Sequence, residues 1–394
     1  MAEEASPSCP QTSLLGHSQV GTGVGSVLAY TPGKVYLAGP YNGDPFSLLS
    51  VTSAVVGPFD LGTVVIRFGL RLDPHTVQVS VDPSASEPIP HIIDGIVTHV
   101  RDIRVSIDRQ GFTLNPTSCN PMSISSTLTS SFAQSATISS PFQAASCASL
   151  KFAPKFSVST AGKTSKANGA SLQVKLTYPN NSLGTYANLA KAKVSLPKQL
   201  PSRLTTLQKA CTAAVFDANP SNCPAASRVG KAKVLTPAIP EALEGPAYFV
   251  SHGGEAFPDL TIVLKGYGVT VDLVGSTSIK NGVTTSTFKA TPDVPFSSFE
   301  LSLPQGPNSA LAANANLCKS KLAMPSEFTA QNGAVLTQST PIKVTGCKAS
   351  LTNKQKLAKA LRQCHKKKNK AKRVRCEKQA RKRFGAKKKG KGRK

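Results

Sequence analysis

The chain has 394 residues, with 47 Lys and Arg against 20 Asp and Glu, 9 Cys and no Trp. That length accommodates two or three domains with cores of their own, and 29 Gly and 29 Pro beside 40% apolar residues argue for a loop-rich β protein and against a helical bundle. The charge is lopsided: residues 351–394 hold 21 of the Lys and Arg and one acid, Glu377, so that tail carries +20 while the body before it is ordinary.

No run reaches the roughly 18 uninterrupted apolar residues of a spanning helix. The best candidate, 50–72, is broken by Gly57, Pro58 and Asp60. The opening "MAEEASPS" lacks the basic start and apolar centre of an export signal.

In chain order, the first feature is "SCPQTSLLGHSQV" (8–20), which returns at 222–234 as "NCPAASRVGKAKV". Both copies keep a Cys-Pro, a Ser four residues after the Cys, a Gly seven after it and a Val eleven after it. "TVVIRFGLRL" then alternates Val64, Ile66, Phe68, Leu70 and Leu72 with Val65, Arg67, Gly69 and Arg71, which predicts a strand with one apolar face. "IRVSID", "SLQVKLTY" and "SFELSL" repeat this period, with turn clusters such as "GPYNGDP" and "YPNNSLGTY" between such runs. Short strands without helical stretches between them predict antiparallel β-sandwich repeats, a mainly β fold.

The duplication continues beyond the Cys-Pro motif. "GKVYLAGPYNGDPF" (33–46) matches "GPAYFVSHGGEAF" (245–257), and Cys119 and Cys147 correspond to Cys318 and Cys347. The second copy has a preface, 151–211, of three or four predicted strands ending at Cys211, 12 residues before Cys223. The first copy has no such preface, so the chain reads as starting inside a repeat, with an incomplete first unit.

Recurrence at matched spacing pairs the cysteines as Cys211 with Cys223, Cys119 with Cys147, Cys318 with Cys347 and Cys364 with Cys376, and leaves Cys9 unpaired. The other reading is a set of buried thiols in a reducing cytosol. Zinc is disfavoured, because no C-x2-C pair occurs. Persistent disulfides need an oxidising compartment, and a lost N-terminal segment reconciles them with the missing export signal.

Catalytic motifs are missing. "SHGGEAF" (251–257) resembles the His-Gly-Gly element of some esterases, but no G-x-S-x-G elbow accompanies it and a hairpin turn is the better reading. "AGKTS" (161–165) is similar to a phosphate loop, yet Ser157 stands where that loop needs Gly. His91, Asp94 and His99 lack both a nucleophile and a third ligand, which reads as a solvent-facing polar cluster. No catalytic residue, metal ligand or cofactor is assigned, and no small-molecule substrate is evident.

The tail differs. Thr352 with Gln355 forms a capping-box pattern, and Leu357, Leu361 and Cys364 follow on one stripe. After "HKKKNKAK" a second helix carries Val374, Cys376, Ala380 and Phe384, so a Cys364–Cys376 bond would pin two antiparallel helices. Like-charge repulsion predicts disorder for the end, 387–394. The candidate polyanion-binding residues are Lys366, Lys367, Lys368, Lys370, Lys372, Arg373, Arg375, Arg381, Lys382, Arg383, Lys387, Lys388 and Lys389. Counterion release makes such binding salt-dependent on nucleic acid, and the same physics serves anionic wall polymers and lipid headgroups. Phe384 stands without interleaved aromatics for base stacking, which favours adhesion over sequence reading. A purely solubilising tail is the bland alternative.

With these motifs in hand, the chain resembles a group of uncharacterised, repetitive, predicted-exported Cys-Pro-repeat proteins of high-G+C Gram-positive bacteria. The resemblance rests on Leu196 and Pro197, Cys211, Cys223 and Pro224, Ser227, Gly230, Gly245, Tyr248, Pro295 and Phe296, Cys318, Pro325, and Gly346 and Cys347, and on the basic Cys-containing ending. It implies export and transfers no activity to any residue.

The expected organisation is a first β unit (1–150), a sandwich segment opening the second unit (151–213), the second β unit (214–348), a basic helical hairpin (349–386) and a disordered end (387–394). The expected function is that of an extracellular or cell-surface structural and adhesive protein, with anionic wall polymer or membrane surface as partner. The alternatives are a cytoplasmic, non-specifically nucleic-acid-associated protein and an enzyme without motif support.

Overall fold

Strands of alternating apolar and polar residues account for most of the body in the computed structural model, which describes residues 9–23, 26–179, 183–347 and 353–384. The first copy contains β1 (Leu14–Thr22), β2 (Ala29–Ala38), β3 (Phe46–Val56), β4 (Phe59–Leu72), β5 (Val79–Asp82), the two-residue strands β6 (Ile92–Ile93) and β7 (Ile96–Val97), β8 (Val100–Ile107), β9 (Met122–Thr129) and β10 (Ser135–Phe142). Six of these form an antiparallel sheet in the order β5-β4-β3-β2-β1-β8, while β9 and β10 make a separate hairpin.

The preface supplies β11 (Lys155–Ala161), β12 (Leu172–Thr177), β13 (Leu189–Ser195), a short α1 (Leu204–Leu207), β14 (Cys211–Thr212) and α2 (Ala213–Ala218). The second copy follows with β15 (Arg228–Leu235), β16 (Leu243–Ser251), β17 (Asp259–Gly266), β18 (Val269–Lys280), β19 (Val283–Phe288), β20 (Ser298–Leu303), β21 (Ala323–Ala330) and β22 (Val335–Thr345). Their sheet runs β16-β15-β20-β12-β11-β22-β21-β13-β19-β18-β17 and returns from β17 to β16, closing an 11-stranded barrel. Every pairing around the ring is antiparallel except that of β11 with β22.

This closed barrel replaces the expected sandwich. Period-two alternation requires only that one face of each strand be buried, and a sheet rolled onto itself satisfies that as well as two stacked sheets do. The preface strands share this sheet, so 151–213 and 214–348 build one core. Phe328, Ile262, Leu264 and Met324 are among the fully buried residues inside it, around an apolar cavity of about 400 Å³. Close strand packing at the join depends on Gly245, where a Cβ would stand 1.8 Å from the Val263 carbonyl oxygen. Outside, Lys175 pairs with Glu300 at 2.6 Å and Lys233 with Glu244 at 2.5 Å. Glu300 lies in register with both lysines, so charges of alternating sign cross four strands. An apolar interior and a charged exterior reverse the arrangement of a membrane-spanning barrel.

The duplication read from the sequence is a duplication of topology. β8-β1-β2-β3-β4-β5 of the first copy has the strand order of β20-β15-β16-β17-β18-β19 of the second. The Cys-Pro motif has a physical account in both: the Pro carbonyl closes a 3-10 turn, accepting a hydrogen bond from the Ser hydroxyl at 2.8 Å (Ser13 to Pro10) and 2.7 Å (Ser227 to Pro224). A register shift follows immediately in each, between Leu14 and Gly16 and between Arg228 and Gly230. The shared Gly permits close approach of the neighbouring strand, since a Cβ on Gly16 or Gly230 would lie 1.8 or 2.5 Å from the carbonyl oxygen of Ser106 or Ser302.

Phe46, Leu72 and Val77 of the first copy pack against the barrel core, and the Asp272 amide donates to the Pro74 carbonyl at 2.8 Å. The Asp293 carboxylate ties the Cys119 loop to the barrel: it accepts from the Thr117 amide (2.8 Å) and hydroxyl (2.6 Å), the Ser118 amide (3.0 Å) and Asn188 Nδ2 (2.8 Å). α3 (Asn353–His365) and α4 (Lys370–Phe384) belong to a second compact unit.

Candidate functional site

The strongest concentration of one kind of chemistry is the basic helical hairpin. α3 presents Leu357, Leu361 and Cys364 along one stripe; Cys364 is buried and both leucines are half-buried. From α4, buried Ala380 and half-buried Cys376 and Phe384 complete the apolar set. The Cys364–Cys376 disulfide links the helices with Cα atoms 5.5 Å apart. Asn369 caps α4, its side-chain oxygen accepting from the Lys372 amide at 3.1 Å, which satisfies a donor the first turn would leave free. Val374, expected among the apolar residues of α4, is 56% exposed. Its neighbours in the sequence explain this: Arg373 and Arg375 cannot be buried in so small a hairpin, and helical geometry turns Val374 outward between them.

Residues 353–384 carry 15 Lys and Arg against Glu377 alone. That carboxylate is already engaged, by His365 Nε2 at 3.1 Å and by Arg373 Nε at 3.9 Å. Lys366, Lys367, Lys368, Lys370, Lys372, Arg373, Arg375, Arg381, Lys382 and Arg383 are all exposed. Lys370, Lys372 and Arg373 sit at the start of α4 without an acidic residue in its first turn, against the helix dipole. The Arg383 guanidinium lies over the Phe384 ring at 5.4 Å from its centroid, leaving that ring engaged with a cation. Such a surface offers many phosphate or carboxylate contacts. Lys387, Lys388, Lys389, the capping residue Thr352 and the end at 387–394 lie outside the described residues.

No protein-family model and no curated protein matches the chain. The hairpin and the cysteine framework therefore carry the functional reading by their own chemistry.

Cys119 is bonded to Cys147 and Cys211 to Cys223; Cys318 and Cys347 are disulfide-bonded as well, giving four disulfides with the hairpin's. Cys9 is a free, half-buried thiol. Four disulfides fit an oxidising, extracellular environment. No helix among the described residues is long and apolar enough to cross a membrane.

The remaining polar motifs fall in turns. Ser251 donates to Glu255 Oε1 at 2.6 Å and the His252 amide donates to the same atom at 3.0 Å, with Gly253 and Gly254 at positive φ between β16 and β17. His91, Asp94 and His99 are exposed around the β6–β7 turn. The Gly162 amide donates to the Thr345 carbonyl at 2.7 Å, which seats the "AGKTS" segment beside β22 as a strand-end turn. The Asp293 clamp escaped the sequence reading, because a single Asp 176 residues from Thr117 has no local signature.

Proposed function

We propose that the chain is an exported or cell-surface structural and adhesive protein of the Cys-Pro-repeat type, in which the β units set reach and the basic hairpin holds a polyanionic surface. The observation that carries this reading is the fourteen exposed cations of a disulfide-linked helical hairpin whose one carboxylate is already engaged. A flexible tail would lose conformational freedom on binding, whereas the linked hairpin presents much of its charge pre-arranged. Four disulfides and a charged barrel exterior support the extracellular setting.

Deleting 349–394 tests it, with binding to inorganic polyphosphate, phosphatidylglycerol vesicles and duplex DNA compared at low and physiological salt. The full chain is expected to bind all three in a salt-sensitive, sequence-blind manner, and the truncated chain none. Full binding by the truncated chain would overturn the assignment. A preference among DNA sequences would favour nucleic-acid association instead.

A further inference from the structure

The two copies share one strand order and differ in what lies beyond its ends. In the second copy β20 pairs onward with β12, β12 with β11 and β11 with β22, while β19 pairs onward with β13 and β13 with β21. Three strands, β11 to β13, thus bridge the six-stranded arc and the hairpin β21–β22 into a ring. In the first copy the corresponding arc ends at β8 and β5, and the corresponding hairpin, β9–β10, pairs with neither.

The side chains register this difference. On the first hairpin Ile124 is 66% and Leu128 58% exposed; their counterparts in the second copy, Met324 and Phe328, are 0% and 2% exposed. Between arc and hairpin lies an open cleft of about 1140 Å³, lined by apolar residues including Val35, Ile66, Phe68, Ile103 and Val105. Unpaired edges flanking an exposed apolar face are the geometry that takes up added strands. An independent observation coincides with it. Cys9 is the counterpart of Cys223, whose partner Cys211 follows the β11–β13 segment in the chain, after α1, and Cys9 is free.

We propose that the first copy is a strand acceptor: its cleft takes a three-stranded polypeptide segment built like 151–212. Two of its strands insert between β8 and β10 and one between β9 and β5, and its terminal cysteine joins Cys9. Closing the bond is a two-electron oxidation of two thiols, with the electrons and both protons passing to an exchanging disulfide such as oxidised glutathione.

The test uses the full chain extended by a second copy of its own residues 151–222, placed directly ahead of Cys9. The extended protein is refolded in a glutathione redox buffer. Disulfide mapping is expected to find Cys9 joined to the added copy of Cys211, and hydrogen exchange at β5, β8, β9 and β10 is expected to slow at least tenfold relative to the unextended chain. A C9S variant of the extended protein should keep the slowed exchange, because strand addition and not the bond closes the ring. Cys9 still free to alkylation with unchanged exchange at those strands would overturn the proposal. So would slow exchange at β8 and β5 in the unextended chain, equal to that of β20 and β19.

Discussion

Replacing Cys364 and Cys376 by Ser removes the disulfide cross-link between α3 and α4, and its effect can be worked from the structure. The bond closes a loop with a sequence separation of 12, and the chain-entropy relation for a loop of that size gives about 3 kcal/mol. Little else resists that loss. Helices of 13 and 15 residues are marginal alone, the apolar contact among the described residues comes from two leucines, two alanines and a phenylalanine beside the cysteines, and the cations at the start of α4 oppose its dipole. Hydrogen exchange on peptides covering 353–384 of the full chain is the assay, since it reads local opening directly. A loss of about 3 kcal/mol corresponds to roughly hundredfold faster exchange, with β11 to β22 unaffected because they lie in the other compact unit. Adding polyphosphate to the Ser variant should restore part of the protection by binding the folded hairpin preferentially. Exchange in the variant within threefold of the parent would refute the reasoning and place the hairpin's stability in its non-covalent contacts.

Other perturbations address the body. Phe328→Ala removes a fully buried ring that meets Phe156 edge-on at 5.2 Å, and should lower unfolding stability by about 3–5 kcal/mol in guanidinium titration. Gly245→Ala places a methyl group against the Val263 carbonyl and is expected to lower the soluble folded yield while Gly254→Ala, in the open turn, affects the barrel far less. Burial raises the Asp272 carboxyl above its ordinary range, and its Oδ1 is buried without a hydrogen-bond partner. A raised carboxyl favours the folded state below the unfolded-state pKa and loses that contribution as pH rises through the folded-state value. Asp272→Asn should therefore raise the denaturation midpoint at pH 7, with the gain vanishing near pH 3. Asp293→Ala strips four hydrogen bonds from the Cys119 loop and its barrel partner, and should make 113–120 susceptible to limited proteolysis without unfolding the barrel.

Individual strands were legible in the sequence because successive side chains point to opposite faces and apolar residues recur with a period of two, as at Val64 to Leu72. Barrel closure was not legible, since nothing in Arg228–Leu235 or Asp259–Gly266 names its partner across the ring; that choice is made by non-local pairing and by small residues such as Gly245. The duplication was legible as spaced Cys, Ser and Gly, and each has a physical cause: the Ser hydroxyl bonds to the Pro carbonyl, the Gly admits a neighbouring carbonyl, and Cys223 is bonded to Cys211. In the hairpin, the leucine stripe and cysteine spacing located the two helices. Which apolar residues of α4 are buried was not legible: Val374 is exposed and Ala380 buried, because apolar character alone does not fix a residue's angular position on α4.

The claim that the hairpin is the polyanion-binding element is tested most directly by the salt dependence of the full chain's affinity for inorganic polyphosphate. The logarithmic slope against salt is expected to be steep, about −0.7 for each phosphate neutralised on a flexible single-stranded polyanion. Changing Lys366, Lys367, Lys368 and Lys370 together to Gln should make it shallower by about 3. Binding that ignores salt, or a slope unchanged by those four substitutions, would contradict the account.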